Sequence, residues 1–372
     1  MIYLDHGATS MPKPPQVAQA MVWAMNHCGN PGRGGHRSAM EASRVLYECR
    51  ETAGVLFGCQ PEQVVLTGNC TQGLNMAIGS LVEPGDPVVI SGFEHNAVAR
   101  PLYALGAKLM VAGRRLFDWE DTLTQWERAL QKRPKAAVFT HVSNVFGYVL
   151  PVEELAGLCR HYEVPFILDA AQSAGSIPLD LKKLGAAFVA MPGHKGLLGP
   201  QGTGLLLCNR ELKPLLYGGT GGNSIDKTMP SDLPDRGEAG TVNVPGAAGL
   251  TQGMRYLMQV GVQQIGDREK KEADRCARAL MGMGVRVFAG AHQSGTLSIL
   301  PPGDCEETAR AFAQRGIALR AGLHCAPLAH ESAGTLETGT LRISFGPNAS
   351  PHQTQTFLKT AQNLLIPQYM GV

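Results

Sequence analysis

Seven short runs of apolar residues, bounded by Gly or Pro, alternate with longer amphipathic segments as far as residue 208, and no other feature narrows the possible folds as much. The runs are QVVLTG (63–68), DPVVIS (86–91), AKLMVA (107–112), KAAVFTHV (135–142), PFILDA (165–170), AFVAM (187–191) and GTGLLLC (202–208). Short continuous apolar runs read as strands buried on both faces. Between them lie helical patterns such as EASRVLYECRETAGVLFG and PVEELAGLCRHYE, the second opening on Pro151 and two acids, as a helix N-terminus prefers. Strand and helix in alternation predict an α/β domain with a mostly parallel sheet. From residue 249 to 281 the chain reads as one long interrupted helical stretch, after which the order changes. VRVFAG, GTLSIL, EETARAFAQRGIALRAG, GTLRISFG and PHQTQTFLKTAQNLL then predict strand, strand, helix, strand, helix: a smaller α+β unit, with a boundary near residue 255.

At 372 residues the chain can bury a substantial core. A formal charge of +2 and a pI near 8.1 exclude binding to nucleic acid or anionic membrane driven by long-range electrostatics, so a small ligand is expected. Nine cysteines without a CxxC pair favour neither a disulfide framework nor a zinc ribbon, and point to a reducing, cytoplasmic setting. The opening MIYLDHGATSMPKPP lacks the basic start and apolar run of a signal peptide. No apolar run reaches the roughly 18 residues of a membrane span.

Chemistry concentrates where strand-like runs end. Lys195 follows AFVAMPGH and precedes a glycine-rich loop; a lysine amine in a desolvated setting forms Schiff bases, although most loop lysines are only solvated. Asp169 ends the run PFILD, three residues before Gln172, where a carboxylate either caps a helix or meets a ligand at the carboxyl edge of the sheet. TGNCTQGLNMA places Cys70 and Thr71 at a strand-to-helix turn of the kind whose N–H groups attract phosphate. It is no Walker loop, and no GxGxxG follows a strand, so nucleotide binding has no support. His95 and Asn144 lie just past strands and read equally as cap and turn residues. Arg342, within GTLRISFG, has the fork to grip a carboxylate or to make a surface ion pair. Cys325 stands in LRAGLHCAPL, as nucleophile, metal ligand with His324 and His330, or filler. The SxxK pattern Ser10–Lys13 has no partner motifs and reads as coincidence.

In order along the chain, YLDHGATS, EHNAVARP, THVSNVFG, DAAQSAG, GHKGLLGPQGTG, EAGTVN, RAGLHCA and RISFGPNAS resemble the class V aminotransferase family of pyridoxal-phosphate enzymes, and within it the group II cysteine desulfurases and selenocysteine lyases. The resemblance spans nearly the whole chain. It implies the aspartate-aminotransferase-like type I fold, with residues 15–255 as a large cofactor-binding α/β domain, and 1–14 with 256–372 as a small α+β domain carrying the Cys325 loop. By the same resemblance Lys195 attaches pyridoxal 5'-phosphate, Asp169 pairs with its ring nitrogen, His95 stacks on the ring, and Gln172 and Asn144 contact the ring oxygen or the substrate. Thr71, His194 and the backbone after Cys70 would hold the phosphate. Thr241 matches a threonine that reaches the phosphate site of a second subunit, which implies a homodimer. Arg342 would hold the carboxylate of L-cysteine, and Arg320 and His36 would line the substrate pocket. Cys325 would take the sulfur as a persulfide, releasing L-alanine and leaving the sulfur acceptor unnamed.

The resemblance also admits selenocysteine lyase activity, in which selenium leaves without Cys325, and an aminotransferase or kynureninase-like lyase, which needs no cysteine in this loop. No metal is implied, because a metal site at Cys325 leaves Lys195 and Asp169 without a role. Three positions depart from the pattern: Pro192 where a phosphate-binding serine is usual, Gln72 in place of a glutamate, and Leu323 in place of a histidine. They bear on substrate preference rather than on the cofactor.

Overall fold

The computed structural model describes residues 1–32, 34–221 and 225–366. After β1 (Ile2–Tyr3) come helices α1 (Pro15–His27) and α2 (Arg37–Phe57). The expected alternation follows as β2 (Val64–Thr67), α3 (Cys70–Leu81), β3 (Pro87–Ser91), α4 (Asn96–Ala104), β4 (Lys108–Ala112), α5 (Trp119–Leu130), β5 (Ala136–Thr140), α6 (Val152–His161), β6 (Phe166–Asp169), α7 (Leu181–Leu184), β7 (Phe188–Pro192) and β8 (Gly204–Cys208). Helices α8 (Val244–Val260) and α9 (Val262–Gly282) lead to β9 (Arg286–Phe288), β10 (Thr296–Leu300), α10 (Cys305–Gln314), β11 (Ile317–Ala318), β12 (Arg320–Gly322), α11 (Pro327–Ala333), β13 (Thr340–Ser344) and α12 (Pro351–Leu365).

All seven early runs become strands of one sheet, ordered β2-β8-β7-β6-β5-β3-β4. Strands β7, β6, β5, β3 and β4 pair in parallel, while β8 runs antiparallel to both its neighbours. Alternate side chains serve two cores: Phe139, Leu168 and Val189 face one with α5, α6 and α8, and Val138, Ile167 and Phe188 face the other with α3 and α4. Each such side chain contributes about 1.5–3 kcal/mol when fully buried, and the double burial is why the runs are continuously apolar.

Past α8 the chain turns at Gly261, whose φ of 91° favours glycine, and α9 follows in a new direction. The expected boundary at residue 255 therefore lies inside α8. The four-stranded antiparallel sheet β12-β13-β10-β9 packs with α9, α10 and α12 on a third core that also takes in Leu4, and β1 pairs in parallel with β11. The run expected as one helix from Glu306 to Gly322 instead stops at Gln314, because Gly316 adopts φ 74° and the residues beyond it find strand partners in β1 and β13.

Candidate active site

The carboxyl ends of β5, β6 and β7 lie side by side, with Thr140 opposite Asp169 and Asp169 opposite Ala190, so residues just past these strands must converge. They line a cavity of about 200 Å³ walled by Asn69, Cys70, Thr71, His95, Thr140, Asn144, Asp169, Gln172, Pro192, His194 and Lys195. Eight side chains expected at the cofactor thus share one cavity. The turn carrying Lys195 is pressed against the turn after Asp169: a Cβ on Gly196 would collide with the Ala174 carbonyl, and one on Gly175 with the Gly196 carbonyl. Glycine at both positions is what lets the two turns meet.

Asp169 is 2% exposed, and its Oδ1 accepts from the Ala171 N–H at 2.9 Å and from the Cys70 thiol at 3.6 Å. Burial raises its pKa against those two donors and the Lys195 charge. The same burial, reinforced by the Arg342 charge, lowers that of the Lys195 amine despite Asp169. His95 caps α4, its Nδ1 accepting from the Ala97 N–H at 3.0 Å, which assigns the proton of the neutral ring to Nε2. Burial and the Lys195 charge push its pKa down to about 4, so the ring is neutral at working pH. His194 is likewise lowered to about 4 by burial.

Two features of this site escaped the sequence reading. Ser10 and Lys13, which read in the sequence as a coincidental SxxK, brace the lysine turn: Ser10 Oγ donates to the Lys195 carbonyl at 2.8 Å, and Lys13 Nζ to the His194 carbonyl at 2.5 Å. Their separation from Lys195 by some 180 residues leaves no local signal. Glu94, wholly buried beside His95, accepts at Oε1 from Ser91 Oγ and from the Thr140 N–H at 2.9 Å, while its Oε2 lacks a partner among the described residues. Burial pushes its pKa up to about 8, so Glu94 is mostly a neutral acid at pH 7. A carboxyl just before a capping histidine would ordinarily be read as a solvated acid ahead of the helix.

Arg342, on β13, is 2% exposed and donates through Nη2 to Asp5 Oδ1 at 2.8 Å and through Nη1 to the Asn144 carbonyl at 3.0 Å. Arg320, on β12 directly opposite, donates to both oxygens of the same Asp5 at 3.0–3.2 Å. Cys325 follows β12 on a loop in which His324 and Cys325 adopt φ values of 49° and 57°, a left-handed conformation uncommon outside glycine that His tolerates better than Cys. The loop is pinned at both residues: Asn144 Nδ2 donates to the His324 carbonyl at 2.7 Å, and the Asn96 N–H to the Cys325 carbonyl at 2.8 Å. His324 turns inward, its Nε2 donating to the Thr340 carbonyl at 3.2 Å, and burial lowers its pKa to about 2. Cys325 itself is exposed, whereas the other eight cysteines are buried or half-buried with thiol pKa values raised by burial.

Five expected residues are absent from the lining of the Lys195 cavity: Arg342, Arg320 and Cys325, whose contacts are those just described, and Thr241 and His36. Thr241 lines a separate cavity of about 200 Å³ with Thr67, Gly68 and Gln72. His36 caps α2, its Nδ1 accepting from the Ala39 N–H at 3.3 Å, and is exposed. Among the described residues no cluster of three or more His, Cys, Asp or Glu is arranged to hold a metal, and no helix is long and apolar enough to cross a membrane.

Comparison with known proteins gives one consistent picture. The aminotransferase class-V family model matches residues 2–357. A probable cysteine desulfurase of Pyrococcus abyssi is 30% identical over 98% of this chain and 94% of its own length. The apo structure of a cysteine desulfurase from Thermococcus onnurineus NA1 superposes with a TM-score of 0.92 at 32% identity, covering 98% of this chain and 94% of that one. The Escherichia coli cysteine desulfurase CsdA superposes with a TM-score of 0.87 at 26% identity, covering the same shares.

Proposed function

The chain belongs to the class-V aminotransferase family, and from that premise we propose that it is a pyridoxal-phosphate-dependent cysteine desulfurase, moving the sulfur of L-cysteine onto Cys325 and releasing L-alanine. One observation carries the reading: the exposed Cys325 sits on a loop whose carbonyls are held by the side chain of Asn144, which lines the Lys195 cavity, and by the backbone N–H of Asn96, the residue after His95 of that cavity.

The cavity suits the cofactor. Asp169 is sealed from water with both recorded hydrogen bonds on Oδ1, Lys195 offers an amine whose pKa burial lowers, and the first-turn N–H groups of α3 at Cys70 and Thr71 have no intrahelical acceptor. Bound there, pyridoxal phosphate would supply an electron sink for the substrate's α-carbon. Lys195 would be the attachment point, and its amine is the group placed to move the substrate's α-proton. Asp169 would pair with the ring nitrogen, His95 would pack on the ring, and Thr71 and His194 would hold the phosphate. Pro192 offers no hydroxyl, so phosphate binding would lean on Thr71, His194 and backbone N–H groups.

Arg342 takes the substrate carboxylate. The Cys325 thiolate attacks the substrate's sulfur; the S–S bond forms as the Cβ–S bond breaks, Cβ keeps the electron pair and gains a proton, and alanine leaves. Cys325 must then deliver the sulfur outward, which its exposure permits. We further take the enzyme to be a homodimer in which Thr241 completes the partner's phosphate site. Exposed apolar side chains on α1 and α2 (Val22, Met25, Met40 and Tyr47) support that reading, as does the place of Thr241 in a cavity other than that of Lys195.

The test is Cys325→Ala assayed with cysteine and an external thiol. Alanine release is expected to fall by at least about 100-fold, within the range for losing a positioned catalytic group. Release at the wild-type rate would sink the role of Cys325.

A further inference from the structure

Asp169 is the carboxylate expected at the cofactor's ring nitrogen, and two recorded hydrogen bonds fix its orientation. Both fall on Oδ1, one from the Ala171 N–H at 2.9 Å and one from the Cys70 thiol at 3.6 Å, while Oδ2 has no recorded partner. The Ala171 bond is local, two residues along the chain, and a carboxylate held by one bond can still swing about the bonded oxygen. Cys70 stands 99 residues away at the start of α3, 8% exposed, and gives the same oxygen a second fixed point. Burial and the Asp169 charge hold the Cys70 thiol well above its ordinary pKa, against the charge of Lys195. The thiol therefore keeps its proton and serves as a donor, where the exposed Cys325 is placed to react. Cys70 also lines the Lys195 cavity beside Thr71, so its side chain meets the ring end of the site and its backbone begins the phosphate turn.

We propose that Cys70 is a positioning residue for the cofactor: its thiol fixes Asp169 through Oδ1, which reserves Oδ2 for the protonated ring nitrogen, and it ties that carboxylate to the phosphate turn at the start of α3. The inference rests on the reading of the Lys195 cavity as a pyridoxal-phosphate site, and it gives one side chain a hold on both ends of the cofactor. A thiol is a weak donor, so its effect is expected in how firmly the cofactor is held rather than in whether it binds at all.

Two measurements separate this role from the mere filling of space. The first needs no cofactor. The S–H stretch falls in an infrared window clear of other protein bands, and the band lost on Cys70→Ala identifies this thiol in the full chain stripped of cofactor. It is expected to move to higher frequency in the Asp169→Ala background, where its acceptor is gone; a band that stays in place overturns the proposal. The second measurement is the dissociation constant of pyridoxal phosphate, followed by visible absorbance on reconstitution, for wild type, Cys70→Ala and Cys70→Ser. Both replacements shrink the side chain, and only serine keeps a donor. Cys70→Ala is expected to bind about fivefold more weakly and Cys70→Ser to stay within about twofold of wild type. Equal losses in the two variants, or no loss in either, overturn the proposal. If Cys70→Ala does not fold, Cys70→Ser identifies the S–H band in its place and the infrared result decides. Wild type that takes up no pyridoxal phosphate would overturn the cofactor reading and this proposal together, whereas failure of either Cys70 measurement with wild type loaded overturns this proposal alone.

Discussion

The Lys195 cavity and the Cys325 loop are joined by two hydrogen bonds, yet they are built on opposite principles. The cavity is made by the core: closely packed strand ends and paired glycines withdraw Lys195, Asp169 and His95 from water, and burial is the leading cause of every shifted pKa there. The loop is made by the backbone: two left-handed residues hold the Cys325 thiol in solvent, and its anchors are carbonyls rather than side-chain packing. Proton transfer at carbon needs groups whose pKa values burial has moved. A group that must hand sulfur to another molecule needs access. The two halves of the proposed reaction therefore call for two kinds of site.

The largest effect should come from the cavity. Lys195→Ala is expected to lower alanine formation by at least about 1,000-fold with cysteine and selenocysteine alike, since both need the same proton transfers. The loop should break differently. Cys325→Ala is expected to cost about 100-fold or more with cysteine while leaving selenocysteine within roughly tenfold of wild type, because selenium is the better leaving group and the Lys195 proton chemistry is untouched. Equal losses on both substrates would show that Cys325 serves the cavity instead of sulfur transfer.

The cavity was the more legible half. Strand ends mark where ligands gather, and the apolar runs before Asp169, His95 and Lys195 could be seen residue by residue. The Cys325 loop is legible as the RAGLHCA motif but its backbone shape is not, because His324 and Cys325, at left-handed φ, are tied to Asn144 and Asn96, some 180 and 230 residues away. The segment after α10 misled for a related reason: its strands exist because β1 and β13 supply edges, and only Gly316 hinted that the helix stops. Asp5 and Glu94 carry no sequence signal, and Ser10 and Lys13 read only as a chance SxxK, because each of the four makes its key contact with residues far along the chain.

A third prediction probes what the buried side costs the fold. Glu94 has a raised pKa of about 8 in the native state, so between about pH 4.5 and 8 the folded chain holds a proton that the unfolded chain releases. Its contribution to stability is full at pH values below the unfolded pKa and is lost as the pH rises toward 8. Glu94→Gln has no such titration. Its stability relative to wild type should grow from pH 5 to pH 8, by on the order of 3 kcal/mol, and level off above. Urea denaturation across that range checks it; a pH-independent difference would mean that Glu94 is charged in the folded state. His95, His141 and His194, each lowered to about 4 by burial, act oppositely, their contribution being present above about pH 6.5 and lost as the pH falls toward 4.

The smallest expected effect sharpens the contrast most, because it weakens the cavity through its backbone, as the loop is held. Ser10→Ala removes one donor to the Lys195 carbonyl, leaving the Leu198 N–H as that oxygen's remaining recorded partner. One such bond contributes about 1 kcal/mol. If core packing fixes the lysine turn, as the close approach of Gly196 to Ala174 implies, the loss should weaken pyridoxal-phosphate retention about fivefold or less, measured by absorbance during dialysis, and leave the optimum pH unmoved. A much larger loss would mean that the lysine turn depends on backbone hydrogen bonds as the Cys325 loop does, and the division between a packed site and a tethered one would fail at its more rigid end.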